Sequence, residues 1–272
     1  MTLCLTNLAK DQIPLEFAGL TPVALAGRSL AEIQRLAIRR GNRQIALGEL
    51  FQVTGDPVDQ DWLLDGDCRQ IHGLGSEIGA GTIVVDGPIG PRAGFGMHGG
   101  RIEVRGNAGD WLGAEMRGGV IRINGDAGSH VGAAPPGAKR GMAGGMILID
   151  GNARNEVGAR MRRGVIAVGG SVGANLGFRM LAGTILVFGS SGPNVGMGMR
   201  RGTIGVFGTP RPTLLPTFKS GYRGPLPVLR MLEAQLASES FAPEQLSRLA
   251  ATVELFHGDC LQLGRGELLL AQ

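Results

Sequence analysis

Seven glycines, Gly81, Gly100, Gly119, Gly145, Gly164, Gly183 and Gly202, recur at steps of 19, 19, 26, 19, 19 and 19 residues, and the residues after them recur as well. Two positions on comes an apolar-x-apolar pair: Ile83/Val85, Ile102/Val104, Ile121/Ile123, Ile147/Ile149, Ile166/Val168, Ile185/Val187 and Ile204/Val206. Such alternation predicts a short strand with one face inward. A G-x-x-G-x-x-x-G triad follows, as in Gly87/Gly90/Gly94, Gly106/Gly109/Gly113, Gly125/Gly128/Gly132, Gly170/Gly173/Gly177 and Gly189/Gly192/Gly196; Arg154 interrupts one triad, between Gly151 and Gly158. Beyond the third glycine stands a methionine: Met97, Met116, Met161, Met180 and Met199, with Met142 in register once an insertion at about Ala134 to Arg140 is removed.

A unit this short cannot bury its own apolar face and must stack on its neighbours. Nineteen residues per repeat, at about 3.3 Å each, trace a loop of roughly 60 Å, enough for three short sides. Successive loops then pair in parallel about 4.8 Å apart, and the crossover rule favours a right-handed winding. The expected fold is an all-β, right-handed parallel β-helix over residues 61–208. Its shaft is filled by the Ile/Val pairs, by Ala93, Leu112, Val131, Val157, Leu176 and Val195, and by the methionines. A methionine column is also open to reading as a soft-metal site, but a stack at repeat spacing matches a core filled by adaptable thioethers.

Open ends of a stack need capping. Residues 1–60 read as an N-terminal α/β cap: a strand at 2–6, and a Ser29-Leu-Ala-Glu32 capping box opening a helix to about Arg40. Residues 209–272 read as a helical cap. A proline-rich stretch from Pro210 to Pro227 precedes helical patterns at about Val228 to Ala237 and Pro243 to Phe256, then a strand-like Gly266-Glu-Leu-Leu-Leu.

Glycine, at 48 residues, has a positional role here, because a chain that is 43% hydrophobic and 18% charged lacks the signature of disorder. The net charge of +4 is too small to imply nucleic acid. Cys4, Cys68 and Cys260 show no metal-ligand spacing, no long apolar run is present and the N-terminus shows no leader, so a reduced, cytoplasmic chain is expected. The column before the first corner glycine reads Asp86, Arg105, Asn124, Asp150, Gly169, Phe188, Phe207, which sets no two acids on adjacent coils. His72, His98, His130 and His257 fall in different columns. Neither paired carboxylates nor a metal triad emerges, so no catalytic or metal residue is expected. No helix follows the glycine turns, which excludes a dinucleotide fingerprint.

The G-x-x-G-x-x-x-G coils resemble the C-terminal domain of the glutamate synthase large subunit and, more closely, the C subunit of formylmethanofuran dehydrogenase. The second likeness extends to the lead-in Leu64-Asp-Gly-Asp-Cys-Arg-Gln-Ile-His-Gly-Leu-Gly and to the closing His257-Gly-Asp-Cys-Leu-Gln-Leu-Gly-Arg-Gly-Glu-Leu, covering about residues 60 to 270. Two branches share that component: a tungsten or molybdenum dehydrogenase, and a bacterial formyltransferase/hydrolase complex. Only Lys10, Lys139 and Lys219 are lysines among 27 basic residues, the bias of a GC-rich genome, which favours the bacterial branch. That resemblance implies a non-catalytic scaffold in one-carbon oxidation, joining an amidohydrolase-like subunit, a formyltransferase subunit and a further subunit. A methylofuran-type carrier would be shared by the complex, and zinc or a similar metal would sit only in a sister subunit. A glutamate-synthase-like amidotransferase component is the third reading.

Two surfaces are candidates for binding. Around the methionine corner cluster His98, Arg117, Lys139, Arg140, Arg160, Arg162, Arg163, Arg179, Arg200 and Arg201, a basic ridge suited to carboxylates or to simple solvation. Given the resemblance, its expected ligand is the polyglutamyl tail of the furan carrier. Outward residues turn apolar along the later coils, at Leu148, Ala167, Leu186, Phe188 and Phe207, giving either a partner interface or a face covered by the C-terminal helices.

Overall fold

Each apolar pair forms a strand, and each strand pairs in parallel with the next at the predicted step. Ile83 lies opposite Ile102, Ile102 opposite Ile121, Ile121 opposite Ile147, and the register continues through Ile166, Ile185 and Ile204. The computed structural model describes residues 2 to 241 and 246 to 271. A second parallel ladder links Cys68, Ile89, Ala108, Ala127, Ala153, Val172 and Ser191. A third contact runs through the last triad glycine: Gly94, Gly113, Gly132, Gly158, Gly177 and Gly196 each donate at 2.8 Å to the carbonyl of Leu74, Ala93, Leu112, Val131, Val157 and Leu176 respectively. Consecutive coils are therefore tied at three places, and the insertion lifts out without disturbing the ladder.

The strands build one mostly parallel, 13-stranded sheet that does not close on itself. Leu3–Asn7 extends its parallel run below Asp61–Asp65, and Phe51–Thr54 then pairs antiparallel as the lower edge. At the other end Arg265–Ala271 pairs in parallel with Arg201–Val206, and Val253–Gly258 and Lys219–Gly224 add antiparallel.

The interior is mostly apolar, with Gln70, Ser76, Arg122 and Asp259 as buried polar or charged exceptions. Met97, Met116, Met142, Met161, Met180 and Met199 are all 0% exposed and belong to one cluster with the Ile/Val pairs. Glycine does two separate jobs. At Gly113 φ is +59° and an added Cβ would lie 2.5 Å from Ile147 Cδ1, so both conformation and space require it. At Gly109 space alone decides, since a Cβ would lie 2.7 Å from the Pro91 nitrogen of the coil below.

The caps depart from expectation in two places. Ser29 does cap a helix through a complete capping box with Glu32, but that helix is only Leu30–Gln34. Ala37–Arg40 is instead a strand, paired with Arg43–Ala46 about a turn in which Gly41 has φ +56°. In the C-terminal cap Pro227–Ser238 is helical, as the pattern predicts. The second pattern is described only from Leu246: residues 243 to 245 lie outside the described residues, Leu246 is helical, Ser247–Ala250 is a single 3-10 turn, and Val253–Gly258 is a strand where the pattern predicts helix. Its pairing with Leu268, Leu269 and Leu270 overrides the local helical pattern.

Candidate functional site

The residue before five of the six core methionines, all but Met142, sits at a tight corner with positive φ, 56° at Arg160 and 51° at Arg179. That conformation turns both side chains out of the shaft on adjacent coils. With Lys139 from the insertion, Arg200 from the next coil, and Leu181, Gly198 and Gln262, they line a groove of about 360 Å³. Arg160 donates from Nη1 to the Ala138 carbonyl at 3.0 Å, fixing the insertion as one wall. Arg179 lies over the Phe178 ring with its guanidinium carbon 5.3 Å from the centroid. Among the described residues no carboxylate lies within ion-pair distance of Lys139, Arg160, Arg179 or Arg200. Four cations around one groove repel one another, and an anionic ligand relieves that repulsion.

The remaining ridge residues are exposed but stand outside this lining. His98, Arg117 and Arg163 open strands of the large sheet, and Arg140 and Arg162 flank the corner of Met142 and Met161. Arg201 lies opposite Arg265, and Lys219 opposite His257, so the cationic surface continues onto the C-terminal cap. Arg265, Lys219 and Gln262 carry no repeat signal and join the region only through the fold.

The five apolar candidates are placed differently from a partner interface. Leu148, Ala167, Leu186, Phe188 and Phe207 form a second buried cluster with Leu229, Leu236, Phe241, Leu246, Leu249 and Leu269 of the chain's own C-terminal segment. The partner role is thereby corrected for these residues, because burying this face against the chain itself removes it from reach. Polar contacts pin the cover. Arg101 reaches Glu239 at 2.7 Å, and Arg122 donates to Asp150 at 2.8 Å and to the Ser240 carbonyl at 3.4 Å.

Five of the outward acids and amides of the coils are occupied in structural roles. Asn107, Asp126 and Asn152 each accept through Oδ1 from the backbone N–H one coil further on, at Asp126, Asn152 and Ser171, over 2.7 to 2.8 Å. Asp110 and Asn155 do the same for Ser129 and Ala174. Among the described residues no three His, Cys, Asp or Glu side chains converge as metal ligands. Burial pushes the Cys68 thiol up to about 12, helped by Asp67 and Asp65, so it is an inert core group.

No protein-family model matches the chain. The C subunit of a tungsten-containing formylmethanofuran dehydrogenase 2 from Methanothermobacter wolfeii is 39% identical over 96 residues, which is 34% of this chain and 36% of that protein. The C subunit of the formyltransferase/hydrolase complex Fhc from Methylorubrum extorquens is 40% identical over 78 residues, 29% of each chain. In both cases the aligned segment spans about a third of the relative or less. The solved structure of the formyltransferase/hydrolase complex FhcABCD from Methylorubrum extorquens, in complex with methylofuran, contains a chain that matches with a TM-score of 0.91 at 36% identity, covering 99% of both chains.

The chain belongs to the family of formylmethanofuran dehydrogenase C subunits. The family's closing motif has a clear structural role here. Asp259 is 3% exposed; its Oδ2 accepts from the Gly198 N–H at 3.0 Å and its Oδ1 from Leu261 N–H at 2.9 Å. This buried carboxylate seals the last coil beside the basic groove. The lead-in does the equivalent at the other end, where Cys68 N–H donates to the Pro88 carbonyl and starts the second ladder.

Proposed function

We propose that this chain is a non-catalytic scaffold subunit of a formyltransferase/hydrolase complex in one-carbon oxidation. The observation that carries the reading is the end-to-end likeness to a chain of a solved complex of that name. Residues 61–208 wind as a right-handed parallel β-helix, supported by three ladders at one step around an apolar shaft. Residues 1–60 and 209–272 are its caps. In this reading the formyl group of formyl-tetrahydromethanopterin passes to a methylofuran-type carrier and is hydrolysed to formate. The chemistry belongs to the sister subunits, an amidohydrolase-like one holding zinc or a similar metal and a formyltransferase, with a further subunit completing the assembly. The capping roles of Asn107, Asp110, Asp126 and Asn152 support a chain without catalytic acids. The unpaired thiols of Cys4, Cys68 and Cys260 fit a reducing cytoplasm, and among the described residues no helix is long and apolar enough to cross a membrane.

The groove of Lys139, Arg160, Arg179 and Arg200 is the binding place for the carrier's carboxylate-rich tail. Arginine suits repeated carboxylates because its planar fork makes paired, charge-assisted contacts. His98, Arg117, Arg140, Arg162, Arg163 and Arg201 extend the attracting field around it.

Purifying the tagged chain from its own organism tests the assembly role. The expected result is co-purification with formyltransferase and hydrolase activities, and no turnover by the chain alone. A chain that purifies by itself, or turns over by itself, contradicts it. The second reading, a component of a tungsten or molybdenum dehydrogenase, draws on the names of the archaeal relatives. Metal analysis separates the two: tungsten or molybdenum supports the dehydrogenase, and zinc alone supports the hydrolase.

A further inference from the structure

The antiparallel strands Val253–Gly258 and Arg265–Ala271 are joined by the loop Asp259-Cys-Leu-Gln-Leu-Gly264. Such loops favour small and polar residues. Here Leu261 is 78% exposed and Leu263 53%, with Cys260 exposed beside them. Among the described residues no large apolar side chain is more exposed than Leu261. The loop is nevertheless firmly held. The Asp259 carbonyl accepts from the N–H of Gln262 at 3.0 Å and of Gly264 at 3.1 Å, and Cys260 N–H donates to the Thr217 carbonyl at 3.0 Å. The buried Asp259 carboxylate takes the N–H groups of Gly198 and Leu261. The backbone is thus fastened to the last coil, to the segment before Lys219–Gly224 and to itself, while its two leucines are left outside.

The setting of this apolar tip is cationic. Arg265 follows it directly and lies opposite Arg201, and Lys219 lies opposite His257, two residues before Asp259. Gln262, between the two leucines, lines the basic groove with Arg179 and Arg200. Of the neighbouring acids, Asp259 is buried and Glu267 accepts from the Thr203 hydroxyl at 2.6 Å. An apolar knob ringed by cations is complementary to an apolar pocket rimmed by carboxylates. Its fixed shape also loses little conformational freedom on docking. A bilayer is the poorer fit: two leucine side chains offer about eight carbons, fewer than one myristoyl chain, which alone holds a protein to a membrane only marginally.

We propose that Leu261 and Leu263 form a docking tip that enters an apolar, carboxylate-rimmed pocket on a sister subunit. The inference rests on the assembly reading above and adds to it the place and chemistry of one contact. Because Gln262 belongs to both the tip and the basic groove, the docked subunit stands beside the groove, which then borders a subunit boundary.

The test uses the intact complex, purified through a tag on this chain. Leu261→Asp combined with Leu263→Asp is expected to lower the recovery of one identified sister subunit about 10-fold or more, whereas Leu261→Met with Leu263→Met, which keeps the tip apolar, retains it. Cys260 gives a second readout without any substitution. In the wild-type complex it should react with a maleimide about 10-fold more slowly than glutathione does, read by peptide mapping, because the docked subunit covers it. This labelling decides alone if the Asp variant is recovered only as aggregate. Full subunit recovery with the Asp variant, or a freely reactive Cys260 in the wild-type complex, overturns the inference while leaving the assembly reading standing. So does an Asp variant that keeps every sister subunit but loses binding to phosphatidylglycerol vesicles or loses self-association, which would assign the tip to a bilayer or to a second copy. A wild-type chain that recovers no sister subunit removes both readings.

Discussion

Arg122 and Asp150 face each other across one coil step with Nη2 and Oδ2 2.8 Å apart, and Arg122 is 8% exposed. The same guanidinium donates to the Ser240 carbonyl and lies 5.1 Å from the centre of the Phe241 ring. One buried cation therefore joins the coil stack to the segment that covers its apolar face. Arg122→Met keeps the volume but leaves the Asp150 carboxylate half-buried without its cation, with only the 3.4 Å contact from Asn124 Nδ2. Breaking a buried pair costs about 3 to 5 kcal/mol, and the partial exposure of Asp150 reduces this to about 2 to 3 kcal/mol. Urea unfolding checks the value, and a loss below about 0.5 kcal/mol would show that the latch is not a structural contact.

Asp150 also sets a pH dependence. Burial raises its pKa above the ordinary carboxylate value, and Arg122 only partly opposes the shift. The folded state then binds the proton more readily than the unfolded one, so this group adds stability as pH falls and costs stability once ionised. Relative to Asp150→Asn, the native protein should gain unfolding free energy between about pH 7 and about pH 4. Parallel stability curves for the two proteins would contradict this.

Two glycines separate the demand for conformation from the demand for space. Gly113 and Gly137 both have positive φ, but a Cβ on Gly137 would meet nothing within 4 Å, whereas one on Gly113 would strike Ile147. Gly137→Ala should cost about 1 kcal/mol and Gly113→Ala about 1 to 3 kcal/mol more, through overpacking of the shaft. Equal costs in denaturant melts would mean that the shaft yields freely at this level.

Deleting the chain after Pro210 removes Arg265–Ala271 from the edge of Arg201–Val206 and uncovers Leu148, Leu186, Phe188 and Phe207. An unpaired edge beside a bare apolar face favours self-association. Light scattering should report aggregates, and a soluble monomer would show that the cover is dispensable.

What could be read from the residues follows the range of the interactions that fix each part. The coils were legible because every Ile/Val pair, triad and methionine repeats at the distance that brings it beside its own equivalent. Even the insertion shows as a step of 26 where the others are 19. The caps were legible only in part: the first strand, the Ser29 capping box, the helix Pro227–Ser238 and the closing strand follow local pattern, but other cap strands answer to distant partners. Val253–Gly258 has a helical pattern and becomes a strand only against Arg265–Ala271, and Ala37–Arg40 becomes one only by turning at Gly41. The basic groove was half legible. Arg160 and Arg179 are one repeat apart and Arg200 belongs to the column just after the methionine, but Gln262 enters from the cap and Lys139 from the insertion. The repeat places arginines around the methionine corner without showing which of them share a groove; Arg162, Arg163 and Arg201 follow the same period and remain outside it.

The role of the basic groove is tested most directly by kinetics of the intact complex with carriers of different tail length. With Arg179→Ala and Arg200→Ala combined, KM for a long-tailed carrier should rise about 10-fold through lost charge-assisted contacts, with kcat unchanged. KM for a carrier trimmed of its glutamates should not move. An unchanged KM for the long-tailed carrier, or an equal rise for both, would contradict the assignment of this groove to the tail.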